Sequence, residues 1–107
     1  MEKIVSGRIF DLLSDRKEIL WMTTGDNSFK IGQVFTFVNG RRKILAEIVK
    51  IREYCTFESA LRNEDWSLVP FDADSESTVL DLLKRNFSVS RQLHGIIVLE
   101  LEISSNT

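Results

Sequence analysis

Apolar positions recur along the chain with two different periods, and the change of period marks the elements. Over residues 2–14, Val5, Ile9, Leu12 and Leu13 keep helical spacing, with Ile4 and Phe10 at the margins. This predicts a helix there, weakened by Gly7, which costs about 1 kcal/mol against alanine in a helix interior. Residues 17–23 form a short apolar run consistent with a strand, and Thr24–Ser28 is turn chemistry. Residues 33–38 read as a second strand. Asn39-Gly40 follows, a strong short hairpin signal, and the return strand spans about 42–52. Its alternation breaks where Ile48 and Val49 stand side by side, which points to a bulge or a twist.

In the second half Thr56 is a good N-cap for a helix opening at Phe57. A loop with Trp66 and Pro70 comes next. Asp74 or Ser75 then caps an amphipathic helix whose apolar face is Val79, Leu80, Leu82 and Leu83. His94-Gly95 closes a second loop, and residues 96–103 end in the alternation of a strand. Ser104–Thr107 reads as a frayed tail. The order helix, three strands, two helices, strand predicts an α+β fold, with a curled antiparallel sheet hiding its own edges.

Composition narrows the function classes. With 107 residues, one domain over 1–107 is expected. The net charge of −2 excludes a globally basic nucleic-acid-binding protein but leaves room for a local patch. The charge is segregated: residues 1–57 carry an excess of bases, whereas residues 58–83 hold Arg62 against a run of acids. One cysteine, Cys55, and one histidine, His94, exclude an internal disulfide, a Cys-based zinc site and a multi-histidine site. No metal and no cofactor is therefore expected. The N-terminus lacks the pattern of a secretion signal and no apolar run approaches 18 residues, so a cytoplasmic protein with no membrane contact is expected.

Several pieces in order carry a family likeness. Phe10-Asp11-Leu12-Leu13-Ser14-Asp15-Arg16-Lys17 precedes a strand, and Phe29-Lys30-Ile31-Gly32-Gln33-Val34 leads into the next. Tyr54-Cys55-Thr56-Phe57 opens a helix, Trp66 lies in the loop, Phe87-Ser88 ends a second helix, and Gly95–Leu101 forms the last strand. This arrangement resembles the ASCH domain family, relatives of the PUA fold, in a small single-domain bacterial-type form. The resemblance implies a PUA-like, mostly antiparallel small β-barrel with peripheral helices and a cleft beside the first strand. The family's cleft motif, Gly-x-Lys-x-x-(Glu or Thr)-x-Arg, falls on Asp15, Lys17, Leu20 and Met22, so that only the lysine is kept. Gln33 stands where an aspartate is usual. In the amidohydrolase branch the lysine and threonine act with a downstream glutamate on acetylated cytidine. Here Leu20 takes the place of that hydroxyl.

The candidate site residues follow. Lys17 at a barrel mouth suits a phosphate or carboxylate, or a base if desolvated. Arg41, Arg42 and Lys43 at the hairpin tip suit a phosphate backbone, extended by Lys50 and Arg52 if these share a face. The same charges also serve as ordinary edge protection. Trp21 and Trp66 are candidates for stacking on an unpaired base, although a packed core is the commoner fate of a strand tryptophan. Glu64, Asp72 or Asp74 stands roughly where the resemblance puts a catalytic acid. Leu20 and Met22 read as ordinary core, Cys55 as a buried small hydrophobe, and Tyr54 and Thr56 as packing and capping residues. The leading expectation is an RNA- or nucleotide-binding ASCH-type domain with a degenerate catalytic motif. The alternatives are an amidohydrolase acting on a modified nucleoside, and a protein-interaction module if Leu20, Met22 and Trp66 are exposed together.

Overall fold

Strand β1 (Glu2–Ile4) opens the chain where the apolar spacing predicts a helix. The helix begins only after Ser6, whose Oγ accepts the N–H of Ile9 at 3.3 Å, and α1 runs Gly7–Ser14. Gly7 thus sits in the first turn, with Ser6 as the cap just before it. The computed structural model describes residues 2–25, 28–71 and 73–106. The predicted turn at Thr24–Ser28 therefore lies partly outside the described residues, at Asp26 and Asn27.

The remaining strands are β2 (Glu18–Thr24), β3 (Val34–Asn39), β4 (Arg42–Tyr54) and β5 (Ile96–Asn106), in the sheet order β1-β3-β4-β5-β2. β1 pairs with β3 in parallel and the other pairs are antiparallel, so the sheet is mixed rather than antiparallel throughout. Asn39-Gly40 makes the predicted hairpin, with Gly40 at φ +62°. β5 extends past the expected end: the backbone of Ser104–Asn106 joins the sheet, with Asn106 opposite Ile44. Two strands separate β2 from β3, yet the Trp21 and Phe37 rings lie 5.2 Å apart. The sheet is therefore curled into a half-barrel.

The broken alternation in β4 is a bulge. Ile48 pairs with Leu101, and the next pairs are Lys50 with Glu100 and Ile51 with Leu99. Val49 is the extra residue. It turns Ile51 inward and sends Lys50, Arg52 and Tyr54 to the outer face.

Each face of the sheet carries its own core. Inside the curl, Phe10 and Leu13 of α1 pack with Ile19, Phe35, Phe37, Ile44, Ile48 and Leu99. On the outer face, Leu20, Met22, Ile96 and Val98 lie under Phe57, Ala60 and Leu61 of α2 (Phe57–Asn63) and Val79 and Leu83 of α3 (Glu76–Asn86). Thr56 caps α2 by accepting from Ser59 N–H at 3.1 Å, and Ser75, not Asp74, caps α3. The predicted loops hold a 3₁₀ turn at Trp66–Leu68 and a short helix α4 (Val89–Gln92). No helix among the described residues is long and apolar enough to cross a membrane.

Candidate functional site

The strand parity of β2 decides the fate of the cleft motif. Ile19 and Trp21 face the interior of the curl, so Leu20 and Met22 face the helices, where they are 2% and 5% exposed. Both are ordinary core, as expected. Their burial removes the patch that Leu20, Met22 and Trp66 would have offered to a protein partner. Lys17 is exposed just ahead of β2, and its carbonyl accepts the N–H of Ile103 at 2.7 Å.

Past the bulge, the outward turn of β4 builds a polar network under the helical layer. Arg52 Nη2 and Nε donate to the two oxygens of Glu64 at 2.7 and 2.5 Å, and the Tyr54 hydroxyl donates to the same carboxylate at 2.5 Å. Arg52 Nη1 lies 3.8 Å from Glu100. Glu64 follows the last turn of α2, and its side chain is 7% exposed. Burial alone would push its carboxyl up. The bonds from Arg52 and then Tyr54 more than reverse this and hold it below the usual carboxylate range. The hydrogen bond to Glu64, reinforced by burial, raises the Tyr54 phenol. The Arg52 guanidinium is raised mainly by its hydrogen bond to Glu64, against burial. An ionised carboxylate with both oxygens engaged is an anchor between α2 and the sheet, not a poised proton carrier. Sequence reasoning missed this network; its one signal was the Arg52-x-Tyr54 spacing beyond the bulge.

Two of the other acids are also accounted for locally. Glu58 meets Lys84 at 2.7 Å and ties α2 to α3; that hydrogen bond lowers its carboxyl. Asp65 caps the 3₁₀ turn, Asp74 is exposed, and Asp72 lies outside the described residues.

The basic candidates differ in their surroundings. Arg42 stacks 4.5 Å over the Phe10 ring, approaches Asp11 at 3.6 Å and donates to Asn39 Oδ1 at 3.4 Å. It is tied to α1. Arg41 and Lys43 are exposed at the hairpin tip, and Lys50 is exposed farther along β4. Arg52 does share the face of Lys50, but it is committed to Glu64 and Glu100. Lys17 and the hairpin tip lie toward the same end of the sheet, because Ile103, which bonds to Lys17, pairs with Ala46. The tryptophans do not join them. Trp21 is half-buried against Phe37, and Trp66 is half-buried against the outer core.

Cys55 corrects the expectation of a buried thiol: it is exposed. It stands between the end of β4 and the Thr56 cap, outside both cores. There it lines a groove of about 370 Å³ with Glu53, Leu93 and His94, beside a second of about 400 Å³ along Gly25, Glu53 and Ile97. Cys55 and His94 thus line one groove despite their distance in sequence. Among the described residues no cluster of three His, Cys, Asp or Glu side chains could hold a metal ion.

A row of like charge crosses the outer face. Glu47 pairs with Glu102, which pairs with Glu18, and all three point away from the inner core. All are exposed, and none carries an ion pair among the described residues. Like charges directly opposite on neighbouring strands are unfavourable.

No protein-family model and no curated protein matches the chain. Two solved structures of archaeal origin do. The crystal structure of hypothetical protein PH0355 superposes with a TM-score of 0.79 at 19% identity, covering 96% of this chain and 97% of that one. The solution structure of protein PF0455 from Pyrococcus furiosus gives 0.75 at 21% identity, with 96% and 97% covered. At such identities the likeness is one of fold: a small α+β domain whose five-stranded mixed sheet is curled into a half-barrel.

Proposed function

We propose that the chain is an RNA- or nucleotide-binding module of the PUA-like, ASCH kind, recognising phosphate rather than performing catalysis. The observation that carries this reading is the display of Lys17, Arg41 and Lys43 toward one end of the sheet, while motif positions 20 and 22 are occupied by core side chains. The bound backbone lies against that end and not across the middle of the outer face, where Glu18, Glu102 and Glu47 repel it. With both tryptophans packed, affinity comes from charge and not from stacking. Binding is therefore weakly sequence-selective and strongly salt-dependent.

The test is fluorescence anisotropy with short single-stranded RNA at several salt concentrations. With about three phosphate contacts, the log–log salt slope is expected near −2. Changing Arg41, Arg42 and Lys43 together to Glu should weaken binding at least tenfold and flatten the slope. Absence of binding at low salt overturns the proposal. Incubation with acetylated cytidine, wild type against Lys17→Ala, tests the amidohydrolase alternative. Lysine-dependent turnover would replace the binding reading with that one.

A further inference from the structure

A third apolar surface belongs to neither core. On the outer face of β1, β3 and the first half of β4 stand Ile4, Val34, Val38 and Leu45, with Thr36 among them. Ile4 is 90% exposed and Val34 41%. The helical layer packs its apolar side chains on β2, β5 and the far end of β4, leaving these residues outside both clusters.

The charges around this face are ordered. Val38 pairs with Lys43, Thr36 with Leu45, and Val34 with Glu47. The cation and the carboxylate are thus equally spaced on either side of the Thr36–Leu45 row, on one strand and one face. A two-fold axis in the plane of contact, running along that row, lays Lys43 of one copy over Glu47 of the other. It also lays Val38 over Val34. The same contact brings a cation to one end of the Glu47–Glu102–Glu18 row, which has no ion pair of its own among the described residues.

We propose that this face mates with a second copy of the chain in an isologous homodimer. Self-complementary charge around an apolar centre is what selects a second copy over an unrelated partner. The face is three strands wide and about five residues long, roughly 15 by 17 Å. That footprint is smaller than the ~800 Å² per partner of a stable complex, so the dimer is weak and concentration-dependent. Glu2 shares the axial row and meets its own image at the rim, which limits affinity further.

Sedimentation equilibrium without RNA, from about 10 μM to about 1 mM protein, tests this; a dissociation constant within that range is typical of a small, transient contact. The wild type should pass from monomer to dimer across the range. Lys43→Glu should weaken association at least fivefold, and Lys43→Glu combined with Glu47→Lys should restore it. Both positions of the test are exposed surface, and circular dichroism checks that the variants fold. A wild type that stays monomeric at 1 mM, or a charge swap that does not restore association, overturns the proposal. Because no nucleic acid is present, failure here is distinguishable from failure of RNA binding.

Discussion

Tyr54 is the chain's only tyrosine, and its hydroxyl donates to a carboxylate that Arg52 already holds. Ionising the phenol would lose that hydrogen bond, leave a charge partly buried and set it against the carboxylate, so its proton is retained above the ordinary value of 10.0. An ultraviolet titration of tyrosinate reads this one group. Its midpoint should lie above 10 in the wild type and fall back toward 10 in Glu64→Gln. An unchanged midpoint would mean that the bond does not exist in solution. The sign of each stability term follows from the direction of its shift. Glu64 is depressed in the fold, so its contribution is present above the unfolded value of about 4.5 and is lost as pH falls through the folded one. Tyr54 is raised, so its contribution is present below 10 and is lost as pH rises through the folded value. Urea denaturation should therefore show Glu64→Gln below the wild type at pH 7, with the gap closing under acid.

At the scale of elements, two glycines with different constraints make a contrast. Gly40 has positive φ and open space around it, so Gly40→Ala pays only backbone strain, about 1–2 kcal/mol. Gly25 faces the opposite problem. A Cβ there would stand 2.3 Å from the carbonyl oxygen of His94, and the Gly25 N–H bonds to the Gly95 carbonyl at 2.8 Å. Gly25→Ala must push the β2 and β5 ends apart and should cost more than Gly40→Ala in denaturation. Such differences explain what the sequence displays and what it conceals. The hairpin, the β4 bulge and the Thr56 cap depend on neighbours in the chain, and local pattern reveals them. β1 does not, because three residues acquire strand character only from a parallel partner more than thirty positions away. The same limit applies to the site. The exposure of Arg41 and Lys43 was legible from the turn, whereas the Arg52–Glu64 pair, the exposure of Cys55 and the groove it shares with His94 arise from long-range packing.

For the molecule as a whole, β5 links the two cores. Ile97, Leu99 and Leu101 enter the inner core while Ile96 and Val98 enter the outer one. Neither layer can dissolve without disturbing the strand that supports the other, so one cooperative transition is expected. The two tryptophans report on the layers separately, since Trp21 packs on the inner core and Trp66 on the outer. Trp21→Phe and Trp66→Phe each leave a single emitter. Within each variant, the fluorescence melt should coincide with the melt followed by circular dichroism. A fluorescence transition displaced from the secondary-structure transition in either variant would show that the layers unfold separately.

The single extra residue at Val49 gives β4 a reading frame. Upstream of it, even-numbered side chains such as Ile44, Ala46 and Ile48 face the interior; downstream, the odd-numbered Ile51 does, and Arg52 and Tyr54 are released to meet Glu64. Removing Val49 would close the bulge and keep this frame, because Ile48 and Lys50 already pair with adjacent β5 residues, Leu101 and Glu100; losing Glu53, beyond it, would instead turn the Tyr54 phenol toward the hydrocarbon interior. Inherited length changes in this strand should therefore collect at Val49, where point changes are also tolerated, and be absent between Arg52 and Tyr54.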